Sequence, residues 1–87
     1  MKKVMSVRSI QYGDEELIAR SEAKRLLEGA DGFKTVVLDF AGVEELGRAF
    51  ADEIFRVFAN KHPQIEIIPQ NASDKVMRMI RRARSST

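Results

Sequence analysis

Residues 35–58 read TVVLDFAGVEELGRAFADEIFRVF, and a change of period inside this stretch sets the fold class. Its first part, 36–40, is mostly β-branched, aliphatic and aromatic and too short for a helix. An apolar run broken only by Asp39 near its end is the pattern of a strand buried on both faces. After a short connection the period changes. Phe50, Ile54, Val57 and Phe58 recur at i, i+4, i+7 and i+8, with Ala51 and Phe55 alongside, which makes one face of a helix. Arg48, Asp52, Arg56 and Asn60 take the opposite face. A buried strand feeding an amphipathic helix is half of a βαβ unit, so the sheet is expected to be largely parallel.

The 87 residues make one domain, 1–87, near the small end of what a single hydrophobic core supports. With 44% hydrophobic and 32% charged residues the chain is globular rather than disordered. It has no cysteine, which excludes disulfides, thiolate metal sites and cysteine nucleophiles and fits a reducing compartment. Residues 1–6 hold two lysines but no apolar stretch long enough for a signal peptide. Nothing approaches the roughly 20 apolar residues of a membrane span. The expectation is a soluble, cytoplasmic protein without membrane contact. A net charge of +2 implies no nucleic-acid partner by itself.

Outward from the central stretch, residues 2–10 alternate loosely and are expected as a strand at or near a sheet edge. Residues 11–16 form a polar turn, and Leu17 and Ile18 briefly return to the sheet. Ser21 is a good N-cap for a short helix in which Ala23, Leu26, Leu27 and Ala30 share a face. Gly29 stands where that helix should stop. The second helix should end at residues 60–63, where Pro63 restricts its predecessor. Ile65 and Ile67 alternate with polar neighbours in a further strand that Pro69 closes. Residues 71–74, Asn-Ala-Ser-Asp, offer capping side chains for a last helix whose stripe is Val76, Met79, Ile80 and Ala83. Residues 85–87 are expected as a frayed tail. The expected architecture is α/β: a small mixed, largely parallel sheet packed against about three helices. The short lead before Leu17 leaves room for a neighbouring domain once attached.

The stretch VVLDFAGV at 36–43 followed by a helix, then IEIIPQN at 65–71 and a final helix, resembles the STAS domain, the fold of the anti-sigma factor antagonists. More closely, RSEAKRL at 20–26 and FADEIFRVF at 50–58 are similar to the STAS-like family of bacterial domains, with the likeness spanning residues 17–80. In the antagonist branch a strand-to-helix turn carries a regulatory phosphoserine. Here that turn is Gly47, Arg48, Ala49 and Phe50; Ala49 stands in place of the phosphorylatable hydroxyl and Gly47 in place of an acid. The resemblance therefore implies partner binding through this edge but no phosphorylation switch at this position. The implied partner is a regulatory protein such as a histidine-kinase-like ATPase. The implied contacts are Gly47, Arg48, Ala49, Phe50, Asp52 and Arg56.

The candidate chemistry is sparse. His62 is the only histidine; with no cysteine it anchors no familiar zinc site, and beside Pro63 it reads as a surface-loop residue. Asp39, Glu44, Glu45, Asp52 and Glu53 cluster near the C-terminal end of the central strand, where ligands of open α/β sheets bind. They could hold a hard cation such as Mg²⁺, but Asp52 can pair with Arg56 at i, i+4, and both Asp52 and Glu53 suit the helix dipole, so a solvated acidic rim is the first reading. Gly42 and Gly47 match neither phosphate-loop spacing. No cofactor or metal is implied, and no enzyme is expected. Lys75, Arg78, Arg81, Arg82 and Arg84 form a basic face on the last helix, which can meet nucleic acid or an acidic protein surface. No aromatic residues are interleaved to stack bases. The leading expectation is a non-enzymatic regulatory interaction domain, with nucleic-acid association through those five residues as the alternative.

Overall fold

The computed structural model describes residues 1–10 and 19–85; the turn expected at 11–16 and the short strand at Leu17 and Ile18 lie outside them. Three strands form one sheet in the order β1–β2–β3: β1 (Lys2–Ser6), β2 (Thr35–Asp39) and β3 (Glu66–Gln70). Both pairings are parallel, with Val4 opposite Val37 and Val37 opposite Ile68. Helix α1 (Arg20–Leu26) joins β1 to β2. A continuous helical rod joins β2 to β3: α2 (Arg48–Asp52), a π-helical segment (Glu53–Phe58) and α3 (Ala59–Lys61). Helix α4 (Asp74–Ser85) closes the chain. The described part is thus a small α/β fold with three parallel strands and three helical rods.

β2 is central because its residues can be buried on both sides, and Val36, Val37 and Leu38 all are. Pleating divides them. Val36 and Leu38 join Phe50, Ile54, Val76 and Ile80 in the core beneath the helices, whereas Val37 points the other way. On that other face its neighbours Val4 and Ile68 are partly exposed. β1 is an edge strand as expected but ends at Ser6. There the Ser9 hydroxyl donates to the Ser6 carbonyl at 2.6 Å, and the chain tightens into the 3₁₀ turn Val7–Ile10. That turn sends Val7 into the core with no exposure.

Helix α1 begins two residues earlier than a Ser21 cap would place it. Its N-cap is Ala19, whose N–H donates to the Glu22 carboxylate at 2.9 Å. After α1 the backbone turns through Gly29 at φ 78°, a left-handed conformation that glycine adopts without a Cβ penalty. For α4 the expected cap is realised by Ser73, whose hydroxyl accepts from the Val76 N–H at 3.2 Å. Ser85 is still helical, and the rest of the expected tail lies outside the described residues.

Candidate functional site

The rod between β2 and β3 does more than cover the sheet. Its six consecutive residues 50–55, Phe-Ala-Asp-Glu-Ile-Phe, are all buried. Six successive positions point in every direction around a helix, so the rod is enclosed on several sides. The sheet lies beneath it, while α1 and α4 both pack against its flanks. The run therefore buries two acids, Asp52 and Glu53, which need counter-charges to stay ionised there.

Arginines supply them. Arg56, one turn on, donates Nη2 to Asp52 Oδ2 at 2.7 Å and Nε to Oδ1. Arg20, from α1, donates Nη1 to Asp52 Oδ2 at 2.7 Å and lies 3.6 Å from Glu53 Oε1. The Asp52 carboxyl is held down to about 2: the hydrogen bond from Arg56 outweighs the opposing effect of burial, and Arg20 adds to it. Asp52 in turn raises the pKa of Arg56. The i, i+4 pair was legible in the sequence. The contact with Arg20, 32 residues away, was not.

Above this buried carboxylate, between the rod and α4, lies a groove of about 460 Å³. Arg20, Arg48, Asp52 and Arg56 line one side, and Met79 and Arg82 line the other. A second hollow of about 290 Å³ adjoins it, sharing Met79 and Arg82 and adding Arg78, Lys75 and Glu45. Among the described residues neither Arg48 nor Arg82 has an ion-pair partner. The groove thus holds four guanidinium groups around one carboxylate.

The expected partner-binding set divides on this geometry. Arg48 and Arg56 line the groove, while Gly47 and Ala49 are half-buried at the start of α2. Phe50 is a correction: it is fully buried in the core and presents no side chain to a partner. Asp52 is a second correction, since it is the floor of the groove and not part of an exposed face.

The basic face of α4 divides too. Arg82 lines the groove and Arg78 the adjoining hollow, whereas Arg81 is simply exposed. Lys75 pairs with Glu45 at 3.2 Å. Arg84 lies over the Phe55 ring, 5.1 Å from its centroid, and donates to the Ile67 carbonyl at 3.1 Å. It ties α4 to β3 and is not offered to a ligand.

The acids near the end of β2 do not converge. Asp39 accepts from the Ala41 N–H at 3.0 Å and the Asn71 amide at 3.1 Å, which lower its pKa. Asn71 holds a left-handed φ of 57° at that corner. Glu45 faces Lys75, and Asp52 and Glu53 face the arginines. Among the described residues no group of three His, Asp or Glu is placed to hold a metal ion. His62 is half-buried and rests against the Phe58 ring, with centroids 4.4 Å apart. Among the same residues no helix is long and apolar enough to cross a membrane.

Comparison with known proteins places these features in a family. The model of the STAS-like domain of unknown function matches residues 22–77. No curated protein and no solved structure matches the chain. The matched region runs from α1 into α4 and includes β2, β3 and the whole enclosed rod. The chain belongs to the STAS-like domain family.

Proposed function

We propose that this STAS-like domain is a non-enzymatic, cytoplasmic regulatory module that docks a signalling protein in the groove between the α2 rod and α4. The observation that carries this reading is the groove itself, with Arg48 and Arg82 free of ion pairs among the described residues on either side of Met79. A concave surface with central arginines and a methionine has the composition of a protein-binding hot spot. The partner it fits carries negative charge; by family resemblance, a histidine-kinase-like ATPase is one candidate. Ala49 offers no hydroxyl to phosphorylate, so control rests on the partner's availability and not on modification of this turn. A photo-crosslinking residue at position 85, which lines the groove and leaves its arginines in place, should trap the partner, and the same residue at exposed position 81 should not. Equal trapping at both positions would remove the groove from the account.

Nucleic-acid association is the second reading, favoured by the exposed Arg78 and Arg81 beside Arg82. It loses Lys75 and Arg84, whose charges are engaged within the fold. It requires binding that falls steeply with salt, with the log–log slope shrinking by about 2–3 when Arg78, Arg81 and Arg82 are neutralised.

A further inference from the structure

We propose that the groove is a receptor for a phosphomonoester dianion, carried by a phosphorylated side chain of the docking partner. The inference deepens the docking reading and rests on it for the source of the phosphate, but the groove's own chemistry can be tested alone.

Charge balance comes first. Asp52 satisfies Arg56 and Arg20, and Arg20 also reaches Glu53. That leaves the two guanidinium groups of Arg48 and Arg82 uncompensated among the described residues, and both line the same groove. Two such cations match one phosphomonoester, which carries about −1.5 to −2 charges at neutral pH and accepts through three oxygens. A single carboxylate would leave one of them unmatched. Guanidinium forks bind phosphate oxygens in pairs, a geometry that favours arginine over lysine at such sites. The groove's four cations are all arginine.

Positioning comes second. Asp52 is nearly buried and holds both Arg56 and Arg20 by side-chain hydrogen bonds. Their rotamers are thus restricted before any ligand arrives, which lowers the entropy cost of closing around an anion. Asp52 acts here as a positioning residue. The arginines come from three separate helical elements, α1, the α2 rod and α4, so the site exists only in the folded domain. At about 460 Å³ the space exceeds one phosphate group and admits the residue that carries it.

The test titrates the intact protein with O-phosphoserine and with adenosine monophosphate, using serine and adenosine as controls. Calorimetry and backbone amide chemical shifts give the readout at constant ionic strength. Saturable binding of the phosphorylated compounds alone is expected, with shifts centred on Arg48, Met79 and Arg82. Arg48→Gln and Arg82→Gln should each weaken it about tenfold, while Arg81→Gln should leave it unchanged. Both groove residues are exposed, so the variants should fold; their melting curves check this. The phosphate loses charge between pH 7 and 5, near its second pKa of about 6. Binding should therefore weaken over that interval. Tighter binding of phosphoserine than of the nucleotide supports a phosphorylated partner. The reverse preference supports the dianion site but overturns a partner side chain as its source. Phosphomonoester binding no stronger than that of chloride, or unchanged in both groove variants, overturns the proposal. If that happens while crosslinking at position 85 still traps a protein, the docking reading stands without it.

Discussion

Replacing Asp52 with asparagine should unlock the helix interface in a pH-dependent way. In the native protein the carboxylate is 12% exposed and held between Arg56 and Arg20, which lowers its pKa from 3.8 to about 2. At about 1.4 kcal/mol per unit, that depression sets a ceiling of about 2.5 kcal/mol of stabilisation. The arginine side chains are 37% and 46% exposed, however, so water and salt screen the pair and about 1 kcal/mol is the expected loss. For a domain of this size that lowers the melting temperature by about 4–8 °C. The folded-state pKa is the depressed one. The contribution is therefore full above the unfolded value of 3.8 and disappears as pH falls through about 2. Urea denaturation of the native protein and Asp52→Asn, at neutral pH and again near pH 2, measures it. The gap between the two should be present in the first and closed in the second. Equal stabilities at neutral pH, or a gap that persists undiminished near pH 2, would refute the ion-pair account of why two acids are buried in this rod.

Three further substitutions separate core from surface and local from tertiary control. Phe50→Ala removes a fully buried ring and should cost about 3–5 kcal/mol in denaturant unfolding; a loss under about 1 kcal/mol would mean the ring is not enclosed. Ser73→Ala deletes the hydroxyl that accepts from Val76 N–H and should cost about 1 kcal/mol with helix α4 otherwise intact by circular dichroism. Gly29→Ala places a Cβ into open space but at φ 78°, so a loss of about 1 kcal/mol in melting experiments should come from backbone strain alone.

The parts of this fold legible in the sequence are those governed by local periodicity. The alternation of hydrophobic period between residues 35–40 and 50–58 is enough to require β2, its parallel neighbours and the rod that follows. Gly29 and Ser73 each mark a helix end by a backbone or side-chain property that acts over a few residues. The start of α1 was harder to place because Ala19 has no acceptor of its own; the signal lies three residues ahead in Glu22. The π-helical widening at Glu53–Phe58 had no signature, since Phe50, Ile54 and Phe58 satisfy an ordinary helical stripe equally well. The burial of 50–55 all round likewise has no local signature, since it depends on α1 and α4 arriving on both flanks.

The same limit applies to the site. Arg48 and Arg56 on one helix and Arg78, Arg81 and Arg82 on another looked like two surfaces serving two functions. Packing α4 against the rod makes Arg48, Arg56 and Arg82 walls of one groove and turns Arg84 away toward Phe55 and β3. Phe50 and Asp52 belonged to the same sequence turn as Arg48, yet burial takes the first into the core and the second to the groove floor. Residue spacing reports a helix face, whereas the identity of the neighbour across it is a tertiary fact.

The measurement that bears most directly on the account is a quantitative pull-down from cells that express the domain. It compares the native protein, Arg48→Glu/Arg82→Glu and the exposed control Arg81→Glu. Retention of one protein partner by the native form and the control, with loss from the double variant, is the result the groove predicts. Undiminished retention by a folded double variant would contradict it and send the search for the contact surface elsewhere on the domain.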